Sequence, residues 1–150
     1  MKLATALSER ADIQRRLTEL QTRLNNNAKV QEGEEPAENP KTLLKELEAL
    51  LTRLEELIYR INLTNSRTLH EGETITQLLA RRDCVAKRVG VLRSFLDAAS
   101  AKVDRYSQKE IRILSTVKVA ELQKQVDAAS RELRELDETV QSLNWTTELI

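Results

Sequence analysis

Apolar residues recur along most of this chain at alternating intervals of three and four, which is the spacing of one helix face. Asn39 followed by Pro40 predicts a helix start, because Asn caps helix N-termini and Pro suits the first helical position. The pattern predicts four helices, over about residues 2–26, 40–65, 76–104 and 120–143. We therefore expect a mainly all-α fold in a single domain over residues 1–150, with four long antiparallel helices paired as coiled-coil-like hairpins.

The second predicted helix carries the widest apolar face. Leu44, Leu51 and Ile58 extend, on one side, a stripe that already repeats with heptad spacing. The members of that main stripe are Leu43, Leu47, Leu50, Leu54, Leu57 and Ile61. So wide a face predicts burial against at least two neighbours. Helices of about 25 residues span about 40 Å, and their apolar faces exceed what one four-helix chain easily covers. We therefore expect a homo-oligomer, either a dimer or a hexamer.

Two segments lose the helical period and predict a small β element over residues 67–76 and 108–118. In the first, frequent Thr and a glycine at Gly72 indicate a short hairpin whose turn needs a positive φ. In the second, Ile111 and Ile113 alternate with polar residues, which favours an extended strand. This strand could pair with the hairpin.

Composition narrows the function classes. The chain is 32% charged and 3% aromatic, with 3 Gly and 2 Pro, which excludes collagen-like, Pro/Gly-rich and turn-rich all-β proteins. Its 24 basic and 24 acidic residues balance, so we expect no nucleic-acid or membrane partner. Cys84 is the single cysteine, and the chain shows neither a signal-peptide pattern nor an 18-residue apolar run. We expect a cytoplasmic protein.

An acidic segment between the first two helices is the strongest candidate for chemistry. Glu32, Glu34 and Glu35 surround a glycine that lets the backbone turn several carboxylates inward. Carboxylates are hard oxygen ligands for divalent cations, and acids this close repel one another unless something neutralises them. The segment predicts a divalent metal site at these three residues, completed by a carboxylate from elsewhere, for which we choose Asp83 or Glu110.

Other interpretations of the charged residues stay open. Arg81 and Arg82, at the start of the third helix, could neutralise the acidic segment in place of a metal, or the segment could be a solvated linker. His70 with its neighbouring carboxylates is a second metal candidate, although a hairpin tip would point these side chains apart. Arg82 also falls at a core-type position, where a buried charge needs a carboxylate partner.

The sequence carries none of the usual catalytic signatures, such as a Walker loop, a Rossmann glycine pattern, a nucleophile elbow or a zinc-protease helix. The leading prediction is a non-enzymatic oligomeric helical protein, a scaffold or interaction module, with a divalent metal held by acidic residues. The alternative is a metal-dependent hydrolase, in which the carboxylates hold the ion and the ion activates water.

Four motifs support a family resemblance over essentially the full length. They are the acidic segment Val30–Glu38, Leu79–Asp83, Asp104–Ser107 with Glu110-Ile111, and Leu143–Thr147. The chain resembles a bacterial family of small proteins often labelled septicolysin and otherwise treated as a domain of unknown function. The resemblance implies a helical, oligomeric protein with metal binding at the acidic motif. The label implies a secreted pore-forming toxin, but the chain has no long alternating strand and few interfacial aromatic residues.

Overall fold

The computed structural model describes residues 1–101 and 111–150, and 75% of these residues are helical. In chain order the elements are α1 (Leu3–Asn26), α2 (Pro40–Arg67), β1 (Leu69–His70), β2 (Glu73–Thr74), α3 (Ile75–Ser100) and α4 (Val119–Thr146). The two strands form an antiparallel sheet. The prediction of a mainly α-helical fold with four long helices and a small β-hairpin is confirmed.

The described chain divides into two compact units. The first unit contains Met1–Thr74 and Leu143–Ile150, and the second contains Ile75–Ser142. Helix α4 therefore contributes residues to both units. No helix in the described ranges is apolar over a long enough stretch to cross a bilayer.

In the first unit, α1 and α2 run antiparallel and bury one face each. Asn39 caps α2 as predicted, because its side-chain oxygen accepts a hydrogen bond from the Lys41 amide at 3.0 Å, and Pro40 is the first helical residue. The buried residues of the two helices are Leu3, Ala6, Ile13 and Leu20 of α1 and Leu43, Leu50, Leu57, Ile61 and Thr64 of α2. Heptad-spaced positions thus form the core of the hairpin, as the period predicts.

The β-hairpin contains only four strand residues. Leu69 lies opposite Thr74, and His70 lies opposite Glu73. Glu71 (φ 50°) and Gly72 (φ 84°) form the turn, and positive φ at both central residues is the requirement of a type I′ turn. The predicted positive φ at Gly72 is confirmed.

In the second unit, α3 and α4 also run antiparallel. Val85 and Val89 of α3 pack with Ala129 of α4, and nearer the other end Leu96 packs with Leu122 and Val126. Burial at intervals of three and four on both helices explains why the sequence period predicts this hairpin.

The predicted strand over residues 108–118 is wrong in the part that the structure describes. Residues 111–118 contain no strand, and the two-stranded sheet pairs only β1 with β2. Ile111 and Ile113, which suggested the strand, are 69% and 63% exposed, so their alternation does not reflect a buried sheet face. Residues 108–110 lie outside the described residues.

Helix α3 ends at Ser100, before the predicted end at residue 104. The Ser100 hydroxyl donates a hydrogen bond to the Leu96 carbonyl oxygen at 2.7 Å. Residues 102–104 lie outside the described residues, as does the Asp104–Ser107 motif.

Candidate functional site

The most distinctive surface feature is an apolar stripe on the side of α2 that α1 does not cover. Leu44, Leu51 and Ile58 lie seven residues apart, so they share one helix face, and they are 50%, 42% and 40% exposed. Tyr59 beside them is 66% exposed. These are the side chains for which the sequence predicts a second neighbour, and in the described chain α1 buries a different face of the same helix.

Two shallow grooves lie along this stripe, and Leu51 lines both of them. One is lined by Leu51, Leu54, Glu55, Ile58, Tyr59 and Asn62. The other is lined by Leu17, Gln21, Leu24, Asn25, Leu47 and Leu51. We call the apolar residues of this surface, together with Leu44, the apolar face: Leu17, Leu24, Leu44, Leu47, Leu51, Leu54, Ile58 and Tyr59.

Charged side chains follow one edge of the apolar face. Lys41 and Lys45 are exposed in the first two turns of α2, and Glu48 and Glu55 are exposed further along it. The edge is therefore positive near the N-terminus of α2 and negative beyond it. We call these four residues the charged edge.

Ion pairs hold α1 and α2 together on the side away from the apolar face. Arg53 of α2 donates two hydrogen bonds to the Glu9 carboxylate of α1, with N–O distances of 2.7 and 3.0 Å. Arg53 also donates to Glu56 at 2.8 Å, and Arg60 donates to the same carboxylate at 3.3 Å. The hydrogen bonds from Arg53 lower the pKa of Glu9 and of Glu56 below their usual values.

The acidic segment is attached to α1 through a residue that sequence reasoning did not select. Glu38 accepts hydrogen bonds from Arg23 on α1, the shortest at 2.6 Å, and its own amide donates to the Asn27 side chain at 3.0 Å. The hydrogen bonds from Arg23 lower the pKa of Glu38 below its usual value. An arginine therefore neutralises one acid of the segment, but it comes from α1 instead of from the start of α3.

The three predicted metal ligands of the segment lie on its surface. Glu32, Glu34 and Glu35 are exposed, and Gly33 has a φ of 88° in a turn where the Glu34 amide donates to the Gln31 carbonyl at 3.0 Å. The turn at the glycine agrees with the sequence. The three carboxylates do not turn inward, since all three residues are exposed.

The carboxylates chosen to complete the metal site lie elsewhere. Asp83 is exposed on α3, 3.6 Å from Arg82, and Glu110 lies outside the described residues. Across residues 1–101 and 111–150, no three His, Cys, Asp or Glu side chains are grouped so that they could hold a metal ion. Because Glu110 lies outside these ranges, the metal site stays a prediction. Arg82 itself lies 3.7 Å from Asp137 of α4, the carboxylate partner expected for its core-type position.

The second metal candidate, His70, and the single cysteine, Cys84, lie in and after the hairpin. His70 lies on β1 opposite Glu73, and Cys84 is exposed on α3.

Residues near the two ends of the chain meet in the first unit, and no pattern in the sequence indicates this. Lys2 and Glu148 form an isolated antiparallel bridge, reinforced by a 2.6 Å ion pair between their side chains. Leu149 is buried, and the next amide, that of Ile150, donates to the buried Thr64 hydroxyl at 3.0 Å. The residues in each of these contacts are separated by more than eighty residues, so no local sequence pattern indicates that they meet.

Comparison with known proteins places the chain in a family. Residues 10–149 match the model of DUF6847, a family of unknown function. The chain belongs to this family. The assignment confirms the coarser part of the predicted resemblance, that of a domain of unknown function.

A solved structure of a similar protein has the same fold as this chain. It is the crystal structure of a functionally unknown conserved protein from Corynebacterium diphtheriae, which is 45% identical, with a TM-score of 0.89. The match covers 100% of this chain and 99% of that chain. No curated protein matches the DUF6847 chain.

Proposed function

We propose that this DUF6847 protein is a non-enzymatic helical protein that works by assembling into a homo-oligomer, as a scaffold or interaction module. The apolar face is the observation that carries the proposal. Monomeric proteins rarely expose contiguous apolar patches larger than a few hundred Å², and larger patches mark interaction sites. Here the exposed side chains repeat with the seven-residue spacing of a helix–helix seam.

The packing of α2 supports assembly. Leu43, Leu50 and Leu57 already form the contact layer toward α1 and are at most 6% exposed. Leu51 and Ile58 belong to a second apolar face on the same helix. A helix with two apolar faces is typical of a bundle in which it has two helical neighbours.

The arrangement of charges supports a structural role. Arg53 donates hydrogen bonds to Glu9 and Glu56, and Arg23 donates hydrogen bonds to Glu38. These pairs connect α1 with α2 and with the segment between them, so the charged groups maintain the hairpin that presents the apolar face.

Light scattering on the purified chain tests the proposal. We expect a mass of at least a dimer at micromolar concentration, and dissociation to the monomer mass in the variant Leu51→Glu/Ile58→Glu. Ala49→Glu is the matched control, since Ala49 is exposed on α2 and side chains two positions apart do not share a face. Circular dichroism confirms that all three proteins stay helical. A monomeric wild-type chain overturns the proposal.

The proposal includes a divalent metal bound by the acidic segment, and this metal has its own test. With a metal at Glu32 and Glu35, chelator lowers the melting temperature of the wild-type chain and leaves Glu32→Gln/Glu35→Gln unchanged. Glu19→Gln is a matched control at an exposed position of α1 and should still respond to chelator. If chelator does not shift the melt of metal-loaded wild-type protein, the metal prediction is wrong.

The alternative, a metal-dependent hydrolase, predicts a different result. Protein loaded with Mg²⁺, Mn²⁺ or Zn²⁺ would hydrolyse generic phosphate or carboxylate esters, and chelator would stop the reaction. Such activity in wild-type protein, lost in Glu32→Gln/Glu35→Gln, replaces the non-enzymatic proposal.

Location belongs to the proposal as well. We place the protein in the cytoplasm because its single cysteine, Cys84, cannot form an intrachain disulfide. The resemblance to septicolysin-labelled proteins adds no mechanism to this proposal.

A further inference from the structure

We draw no further inference here: the strongest candidate, the apolar groove between α3 and the start of α4 beside Phe95 and Val117, carries no proposal because nothing in the described part of the chain shows what covers it.

Discussion

At the residue scale, the polar side chains of the first unit mainly secure helix contacts. Arg53 joins α2 to Glu9 of α1, and Arg23 joins α1 to Glu38 of the connecting segment. Each pair links residues that are distant in sequence, and each lowers the pKa of its carboxylate. Such pairs are partly exposed and contribute little singly. Their main effect is to define how α1, α2 and the segment between them fit together.

The Glu9–Arg53 pair predicts a measurable dependence of stability on pH. The folded-state pKa of Glu9 lies below its ordinary value of 4.5. The pair therefore stabilises the fold above pH 4.5, and this contribution is lost as the pH falls through the depressed folded pKa. Glu9→Gln should lower the melting temperature by about 1–3 °C at pH 7.

The same variant should melt increasingly like the wild type as the pH falls below 4.5. Glu19→Gln, at an exposed position of the same helix, is the control and should change the melting temperature little at either pH. A difference between Glu9→Gln and the wild type that persists undiminished at pH 3 would contradict this role for the pair.

At the element scale, local chemistry explains where the helices and the hairpin begin. Asn39 and Pro40 start α2, and Gly72 makes the type I′ turn between β1 and β2. The α2 helix then carries two apolar faces, one toward α1 and one outward. One neighbouring helix covers only one face, so the outward face of α2 needs a second neighbour. The proposed assembly supplies that neighbour.

Two glycines predict opposite effects of the same substitution. Gly72 has a φ of 84°, which L-residues rarely adopt, so Gly72→Ala should destabilise the chain by about 1 kcal/mol. Gly90 lies within α3, and a Cβ built there meets nothing within 4 Å. Gly90→Ala should therefore stabilise the chain by about 0.5–1 kcal/mol.

Urea unfolding of both variants measures these changes directly. The pair is matched because each variant adds one methyl group at an exposed position, and the backbone conformation is the main difference. Destabilisation by Gly90→Ala, or stabilisation by Gly72→Ala, would show that the backbone at these positions differs from the structure.

At the scale of the whole molecule, the chain contains two helical hairpins that form separate compact units. In the first unit, the bridge between Lys2 and Glu148 joins residues near the two ends of the chain, and the hydrogen bond from the Ile150 amide to the Thr64 hydroxyl ties them to α2. The apolar face belongs to this same unit. A rigid hairpin presents a preorganised surface, which lowers the ordering cost of association.

Assembly predicts a melting temperature that depends on protein concentration. If folding is coupled to dimerisation, a hundredfold higher concentration should raise the melting temperature of the wild type by about 3–5 °C through mass action. The variant Leu51→Glu/Ile58→Glu should melt at a temperature independent of concentration, and Ala49→Glu should behave as the wild type. Equal behaviour of all three in differential scanning fluorimetry would argue against coupled assembly.

The sequence by itself determined the helices, because helix periodicity, an Asn-Pro start and a glycine at a turn act over a few residues. It also revealed the second face of α2, since Leu44, Leu51 and Ile58 lie at a helical spacing that needs no tertiary information. The predicted strand over residues 108–118 failed in its described part because alternation alone does not supply a partner strand.

Only the tertiary structure decided which charges pair and which apolar side chains stay exposed. Glu38 pairs with Arg23, fifteen residues away, and Lys2 pairs with Glu148 near the other end of the chain. Many carboxylates and cations in this chain have equivalent local surroundings, so the sequence alone does not show which of them pair. Their pairing depends on which helix faces come into contact, and that follows from packing over the whole hairpin.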